Sequence, residues 1–231
     1  MEQGLSSLVA ATATFVGSHF VLSSQAVRQP LIARLGERPF RGLYALLSLV
    51  VFIWMVAAYG RAPQVVLWPS TLWARHIPLV VMPIAAILAV AGLTTRNVTM
   101  VGAEASVEAG DPAPGIMRVT RHPFLWAVAV WAISHLAATG DAASLILMGG
   151  ILVLALGGMA HIDARRRADL GSAWGPIALT TSVLPFAAVA SGRASMDWAG
   201  IGWQRLAGGV ALYFALFFVH ELVIGVSPLP G

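Results

Sequence analysis

Six stretches of this chain are almost continuously apolar, at about residues 4–27, 42–60, 76–93, 123–139, 142–161 and 198–224. A helix takes roughly 20 apolar residues to cross the hydrocarbon core of a bilayer, so each stretch is a candidate span. The breaks between them carry the expected punctuation. Gly42 opens the second stretch and Tyr59-Gly60 closes it. Pro123 stands where a first helical turn accepts proline, and Thr139-Gly140-Asp141 separates the fourth stretch from the fifth. Gly225, Pro228 and Pro230 end the sixth. A further apolar stretch at 179–190 is too short to span and contains Pro185, so it reads as an interfacial or re-entrant helix. No linker-like tract and no internal repeat divides residues 1–231. The expected fold is all-α: a single polytopic membrane helix bundle of about six transmembrane helices plus that short helix.

Composition supports the membrane reading. Of 231 residues, 58% are hydrophobic and only 10% are charged, against roughly 25% charged in a soluble domain. Too little polar surface exists to face water all round. All 14 basic residues are arginine, yet the net charge is only +4. They fall in the short interhelical segments, where they set topology and do not imply a nucleic-acid partner. Arg28, Arg34, Arg38 and Arg41 follow the first span, in an expected loop. Arg96, Arg118 and Arg121 follow the third, and Arg165, Arg166, Arg167, Arg193 and Arg205 follow the fifth. Only Arg61 and Arg75 lie on the other side. The positive-inside rule then puts both termini outside the cytoplasm, which in a bacterial inner membrane is the periplasmic side. The first apolar stretch has no basic flank or cleavage site, and reads as a retained helix. The segment 97–115, with Glu104, Glu108 and Asp111, reads as an acidic surface loop. With no cysteine in the chain, ligation of a metal or haem falls to His, Met, Tyr or carboxylate.

The topology sorts six histidines by depth. His76 opens the third span, His135 lies five residues before Gly140, and His220 lies in the outer third of the last span. These form an outer layer. His19, His122 and His161 form an inner one. His122 and His135 share a helix, and 13 residues at 1.5 Å each hold them about 20 Å apart, too far to ligate one iron. Ionisable groups inside a membrane are expensive and mark function, and imidazole is a common ligand of haem iron. Trp73 precedes His76, and Trp131 precedes His135 by one helical turn; with Trp68 they could wall a flat cofactor. Arg75 beside His76 could pair with a propionate, with Arg61 a second candidate. The inner layer is basic: Arg121, His122, His161, Asp163, Arg165, Arg166 and His19 make an alternative cytoplasmic-side site for an anionic ligand or for lipid headgroups.

In order along the chain, several motifs resemble those of the NnrU family of bacterial membrane proteins. They are Gly17-Ser18-His19; Leu35-Gly36-Glu37-Arg38 with Arg41-Gly42-Leu43-Tyr44; Leu67-Trp68 with Arg75-His76; and Arg118-Val119-Thr120-Arg121-His122-Pro123. Further along come Trp131 to Leu136, Arg165 to Gly171, Thr180-Thr181-Ser182 with Pro185-Phe186, and the tail from His220 to Pro230. The family takes its name from gene clusters for nitrite and nitric oxide reduction and includes the 15-cis-zeta-carotene isomerases. The resemblance implies a b-type haem held by histidines that match His76 and His135. Where the isomerases carry a cysteine three residues before the second histidine, this chain has Ala132. The Arg121-His122-Pro123 entry also resembles membrane phospholipid and isoprenylcysteine methyltransferases, which bind S-adenosylmethionine near the cytoplasmic face. Their glutamate pair is missing here, where Asp163 and Asp169 stand nearby.

Three functions follow. The first is a haem b protein with His76 and His135 as axial ligands and His220 as an alternative to either. Its reaction would be a redox-gated cis-trans isomerisation of a polyene or isoprenoid, or it would bind nitric oxide in a denitrification setting. The second is an S-adenosylmethionine-dependent methyltransferase. The third is a haem carrier or assembly factor without catalysis. Membrane lipid and a hydrophobic small molecule are the expected partners. Oligomeric state is not readable.

Overall fold

A computed structural model describes residues 2–99 and 113–230; the acidic segment expected around Glu104, Glu108 and Asp111 lies mostly outside them. The described chain is helical. Helix α1 spans Glu2–Ser23, α2 Gln25–Leu35, α3 Glu37–Arg61, α4 Leu72–Thr94, α5 Pro123–Thr139 and α6 Ala142–Leu170. Four further helices follow: α7 Trp174–Thr180, α8 Ala187–Ala190, α9 Trp198–Ile201 and α10 Trp203–Ile224. Five helices are long and apolar enough to cross a membrane, and α5, at 17 residues, is a shorter apolar helix. The protein is an integral, multi-spanning membrane protein.

The packing follows from the solvent. In lipid, apolar side chains gain nothing by turning inward, so helices associate through small residues that let backbones approach. The buried positions of α4 include Ala85, Ala86, Ala91 and Gly92, and those of α5 include Ala127, Ala129 and Ala132. Large residues point out: Phe218 is 76% and Leu222 87% exposed on α10. Helix α10 buries Gly209 alone, where a Cβ would lie 2.5 Å from Ile87 Cα on α4. Helix α4 packs against α5 on one side and α10 on the other; α1 packs against α3 and α6, and α6 against α5. A core of Leu8, Met55, Ala132, Leu147 and Met148 joins α1, α3, α5 and α6.

Proline inside α4 frees a carbonyl. Pro83 has no N–H for Leu79 O, and the Tyr213 hydroxyl of α10 donates to that oxygen at 3.4 Å. At the end of the bundle holding the start of α1, residues 65–68 pair with the α5–α6 turn. Leu67 and Trp68 donate to Gly140 O at 2.8 and 3.1 Å, and Asp141 caps α6 through Ser144 N at 2.9 Å.

Several expected boundaries move. The loop expected to hold Arg28, Arg34, Arg38 and Arg41 is helical: Arg28 and Arg34 belong to α2, and Arg38 and Arg41 to the start of α3. The span expected at 4–27 therefore breaks at Ser24. Helix α2 has no apolar run to announce it and contains Pro30; contacts hold it, as Arg28 pairs with Glu37 at 3.3 Å and lies 6.0 Å from the Phe40 ring. Helix α6 continues past His161 to Leu170, because Asp163 there meets Arg121 inside the protein instead of lipid. The 179–190 stretch is two short helices separated by 181–186, and Gly202, at φ 72°, divides the expected 198–224 span into α9 and α10.

Candidate functional site

Three of the six histidines stand at one end of the bundle at matching positions. His76 is the fifth residue of α4, and His135 and His220 are each fifth from the end of α5 and α10. Since α4 packs against both partners, the helix ends that carry these rings are neighbours. Each ring uses Nδ1 in the same way. His76 Nδ1–H donates to Leu72 O at 2.8 Å, His135 Nδ1–H to Trp131 O at 2.8 Å, and His220 Nδ1–H to Val226 O at 2.8 Å. A carbonyl only accepts, so the proton sits on Nδ1 and the Nε2 lone pair remains on the far side of the ring. Among the described residues no hydrogen bond engages any of these three Nε2 atoms. An Nδ1–H held by a carbonyl with Nε2 unbonded leaves Nε2 available as a metal donor, one of the two ring nitrogens through which imidazole ligates.

The surrounding groups sort unevenly. Trp131 lies against His135 with ring centroids 5.3 Å apart. Trp73 is 71% exposed and lies on the rim, and Trp68 is tied by its backbone to Gly140. Arg75 reaches Leu229 O at 3.5 Å, and His76 is exposed.

The opposite, arginine-rich end holds the inner set, which the fold divides in two. In one part Arg121 Nε donates to both oxygens of Asp163, at 3.0 and 2.8 Å, and Nη2 donates to Oδ2 at 2.5 Å. His122 Nε2–H donates to Asp163 Oδ1 at 2.8 Å, with its side chain fully buried. The Arg121 guanidinium also lies 5.7 Å from the Trp174 ring. The backbone here joins two motifs that lie far apart in the chain. Arg121 N donates to Ser182 O at 3.0 Å and Phe186 N to Val119 O at 2.7 Å, while Thr120 Oγ1 and Trp126 Nε1 both donate to Val183 O. Arg121 and His122 Nε2 are thus engaged with Asp163, anchoring the start of α5 to α6 and to 182–186, while His122 Nδ1 is buried without a hydrogen-bond partner.

The second part opens on space. His19, His161, Arg165 and Arg166 line a cavity of about 790 Å³ among α1, α2, α3, α5 and α6. Arg28, Arg41 and Tyr44 join them there, and sequence reasoning missed all three as site residues. The signal available was helical register: once α2 and the start of α3 are helices, their arginines face the end of α6. His19 Nδ1–H donates to Phe15 O at 2.7 Å, and His161 Nε2 is buried without a hydrogen-bond partner. Trp131 lines the cavity too, so its apolar depth reaches within one turn of His135. A smaller hollow of about 160 Å³ lies between α4, α5 and α10. Among the described residues no group of three or more His, Cys, Asp or Glu side chains converges on a metal position.

These observations define a class: a multi-spanning helical membrane protein with three histidines near one end and an arginine-rimmed apolar cavity at the other. The chain belongs to the NnrU family, described as NnrU protein, whose match runs over residues 7–228. It is similar to the chloroplastic 15-cis-zeta-carotene isomerase of Zea mays, 34% identical over 79 residues, covering 34% of this chain and 22% of that protein. It is also similar to the chloroplastic 15-cis-zeta-carotene isomerase of Arabidopsis thaliana, 29% identical over 119 residues, covering 49% of this chain and 32% of that protein. The matched stretches thus span less than a third of those relatives' length. No solved structure matches the chain.

Proposed function

We propose that this protein is a membrane haem protein of the b type, with His76 and His135 as axial ligands and His220 as the reserve donor. The observation that carries the reading is the shared tautomer: three imidazoles on adjoining helix ends, each with Nδ1–H committed to a carbonyl and Nε2 bare. When bound, haem supplies a redox-active Lewis acid. The chain's own contribution is positional. The Leu72, Trp131 and Val226 carbonyls hold the ring orientations and raise the basicity of Nε2. Trp131 packs an aromatic wall beside His135. The names of the two relatives suggest cis-trans isomerisation of a polyene as the reaction, and the family's setting suggests nitric oxide as the other small molecule. The inner membrane of a bacterium, with both termini in the periplasm, is the matching location.

The test is a visible spectrum of the purified full chain supplied with haemin, oxidised and reduced. The reading expects a Soret band that His76→Ala and His135→Ala each abolish or shift, while His220→Ala leaves it in place. A monodisperse protein that takes up no haem, or whose spectrum survives both substitutions, overturns it. Catalysis is separated from carriage by incubating the loaded protein with a cis-polyene and resolving isomers by chromatography.

A further inference from the structure

The cavity at the arginine-rich end is long as well as large. Its lining runs along α6 from Ile151 to Asp169, which is about 27 Å at 1.5 Å per residue. Its volume, about 790 Å³, falls within the range of small-molecule pockets. Its chemistry is graded along that length. Toward Trp131 it is walled by Phe15, Phe52, Leu125, Ile151 and Leu154, whereas its charged residues lie toward the other end, on α2, the start of α3 and the last turns of α6. Four arginines meet there: Arg28 from α2, Arg41 from the start of α3, and Arg165 and Arg166 from the end of α6.

The carboxylates nearby do not balance them. Glu37 is shared between Arg28 at 3.3 Å and Arg41 at 2.7 Å, and Asp169 accepts from Gln25 at 3.0 Å. Arg28, Arg41 and Arg165 against Glu37 and Asp169 leave, among these described residues, an excess of one positive charge beside an apolar space. Arg165, half-buried near the end of α6, makes no hydrogen bond among the described residues. The Nε of Arg41 is buried without an acceptor, and one turn deeper than Arg165, His161 Nε2 is buried without a partner. Guanidinium donors left unbonded beside an apolar space are stabilised by an oxyanion, and their forked geometry matches phosphate.

We propose that this cavity binds a membrane amphiphile with one long apolar chain and a phosphate head, the phosphate lying on Arg41 and Arg165 and the chain running toward Trp131. A free phosphate would leave the apolar depth unfilled, and a neutral hydrocarbon would leave the arginine excess uncompensated. The arginine end of this site lies away from His76, His135 and His220, and its apolar depth ends at Trp131, the neighbour of His135.

Native mass spectrometry of the delipidated full chain in uncharged detergent tests this with four probes: 1-oleoyl-lysophosphatidate, 1-oleoylglycerol, inorganic phosphate and haemin. Lysophosphatidate is expected to half-saturate at a concentration about tenfold or more below oleoylglycerol, the scale of one charge-assisted contact. Phosphate alone is expected not to bind in that range. Arg165→Gln and Arg41→Gln should collapse the preference to within about threefold, Arg165→Lys should retain most of it, and Leu154→Trp should weaken lysophosphatidate by filling the space. Equal binding of the two oleoyl probes, or a preference untouched by the arginine and Leu154 variants, overturns the proposal. Arginine-dependent uptake of haemin with no uptake of lysophosphatidate also overturns it, and would make the cavity a porphyrin pocket.

Discussion

Asp163 offers the sharpest perturbation of the fold. Its carboxylate takes three hydrogen bonds from Arg121 and one from His122. The Arg121 and Asp163 side chains are each 13% exposed, and that of His122 is 0%. Asp163→Asn keeps the shape but removes the charge, leaving Arg121 buried without its counter-ion and one amide oxygen to serve two donors. Breaking a buried pair from one side costs about 3–5 kcal/mol. The Trp174 face, 5.7 Å from the guanidinium, offsets a part of that, about 0.5–2 kcal/mol. The expected loss is therefore about 3 kcal/mol. Arg121→Met should cost a similar amount, because it strands the carboxylate. The double variant should cost much less than the two losses summed, since no charge is then left unpaired. A coupling energy of about 2 kcal/mol or more is expected. Equilibrium unfolding in mixed micelles, read by tryptophan fluorescence, measures all three. Single losses under about 1 kcal/mol, or losses that simply add, would refute the claim that this network anchors α5 to α6.

Three further outcomes follow from the same structure. Gly209→Leu would drive a side chain into the α4 backbone, where a Cβ already falls 2.5 Å from Ile87 Cα, and should detach α10 with a loss of at least about 3 kcal/mol in the same unfolding assay. Asp197 accepts from Gly115 N and Gly200 N, and these bonds hold its carboxyl below the usual carboxylate range. A depressed folded-state value means its contribution is complete above the unfolded value of about 3.9 and fades as pH falls through the folded one; Asp197→Asn should lower stability at pH 7 and flatten the acid limb of a stability–pH curve. Tyr59→Phe removes the 3.0 Å contact to the buried Ser144 Oγ and should cost about 1 kcal/mol by unfolding, with helix content by circular dichroism unchanged.

The spans were legible because lipid imposes one rule, a long apolar run, and five of the described helices obey it, with α5 a shorter apolar helix. Positions of His76, His135 and His220 at one end follow from alternating helix direction, so their matching places also show in the sequence. What the sequence hid was polar structure held by contacts. Helix α2 has Arg, Gln and Pro but no apolar period, and the contacts of Arg28 with Glu37 and Phe40 and of Gln25 with Asp169 explain its course. The last two turns of α6 read as a cytoplasmic segment because Asp163 and three arginines follow His161; in the fold, Asp163 is neutralised by a residue 42 positions earlier in the chain. The inner residues read as a single basic patch, whereas one part is an internal anchor and the other rims a cavity. That division depends on which way each side chain turns on its helix. Phe186, the one described non-glycine residue at positive φ, could not be foreseen either. Its N–H is drawn to Val119 O at 2.7 Å, a pairing across 67 residues.

The most direct measurement is a haemin titration of the apo full chain, followed in the Soret region and by electron paramagnetic resonance of the saturated sample. The account predicts saturation at one haem per chain with a low-spin, two-imidazole signal. In the His76→Ala/His135→Ala double variant that signal should vanish while the protein stays folded. Saturation with the same low-spin signal in that double variant, or no uptake by the wild-type chain, would contradict it.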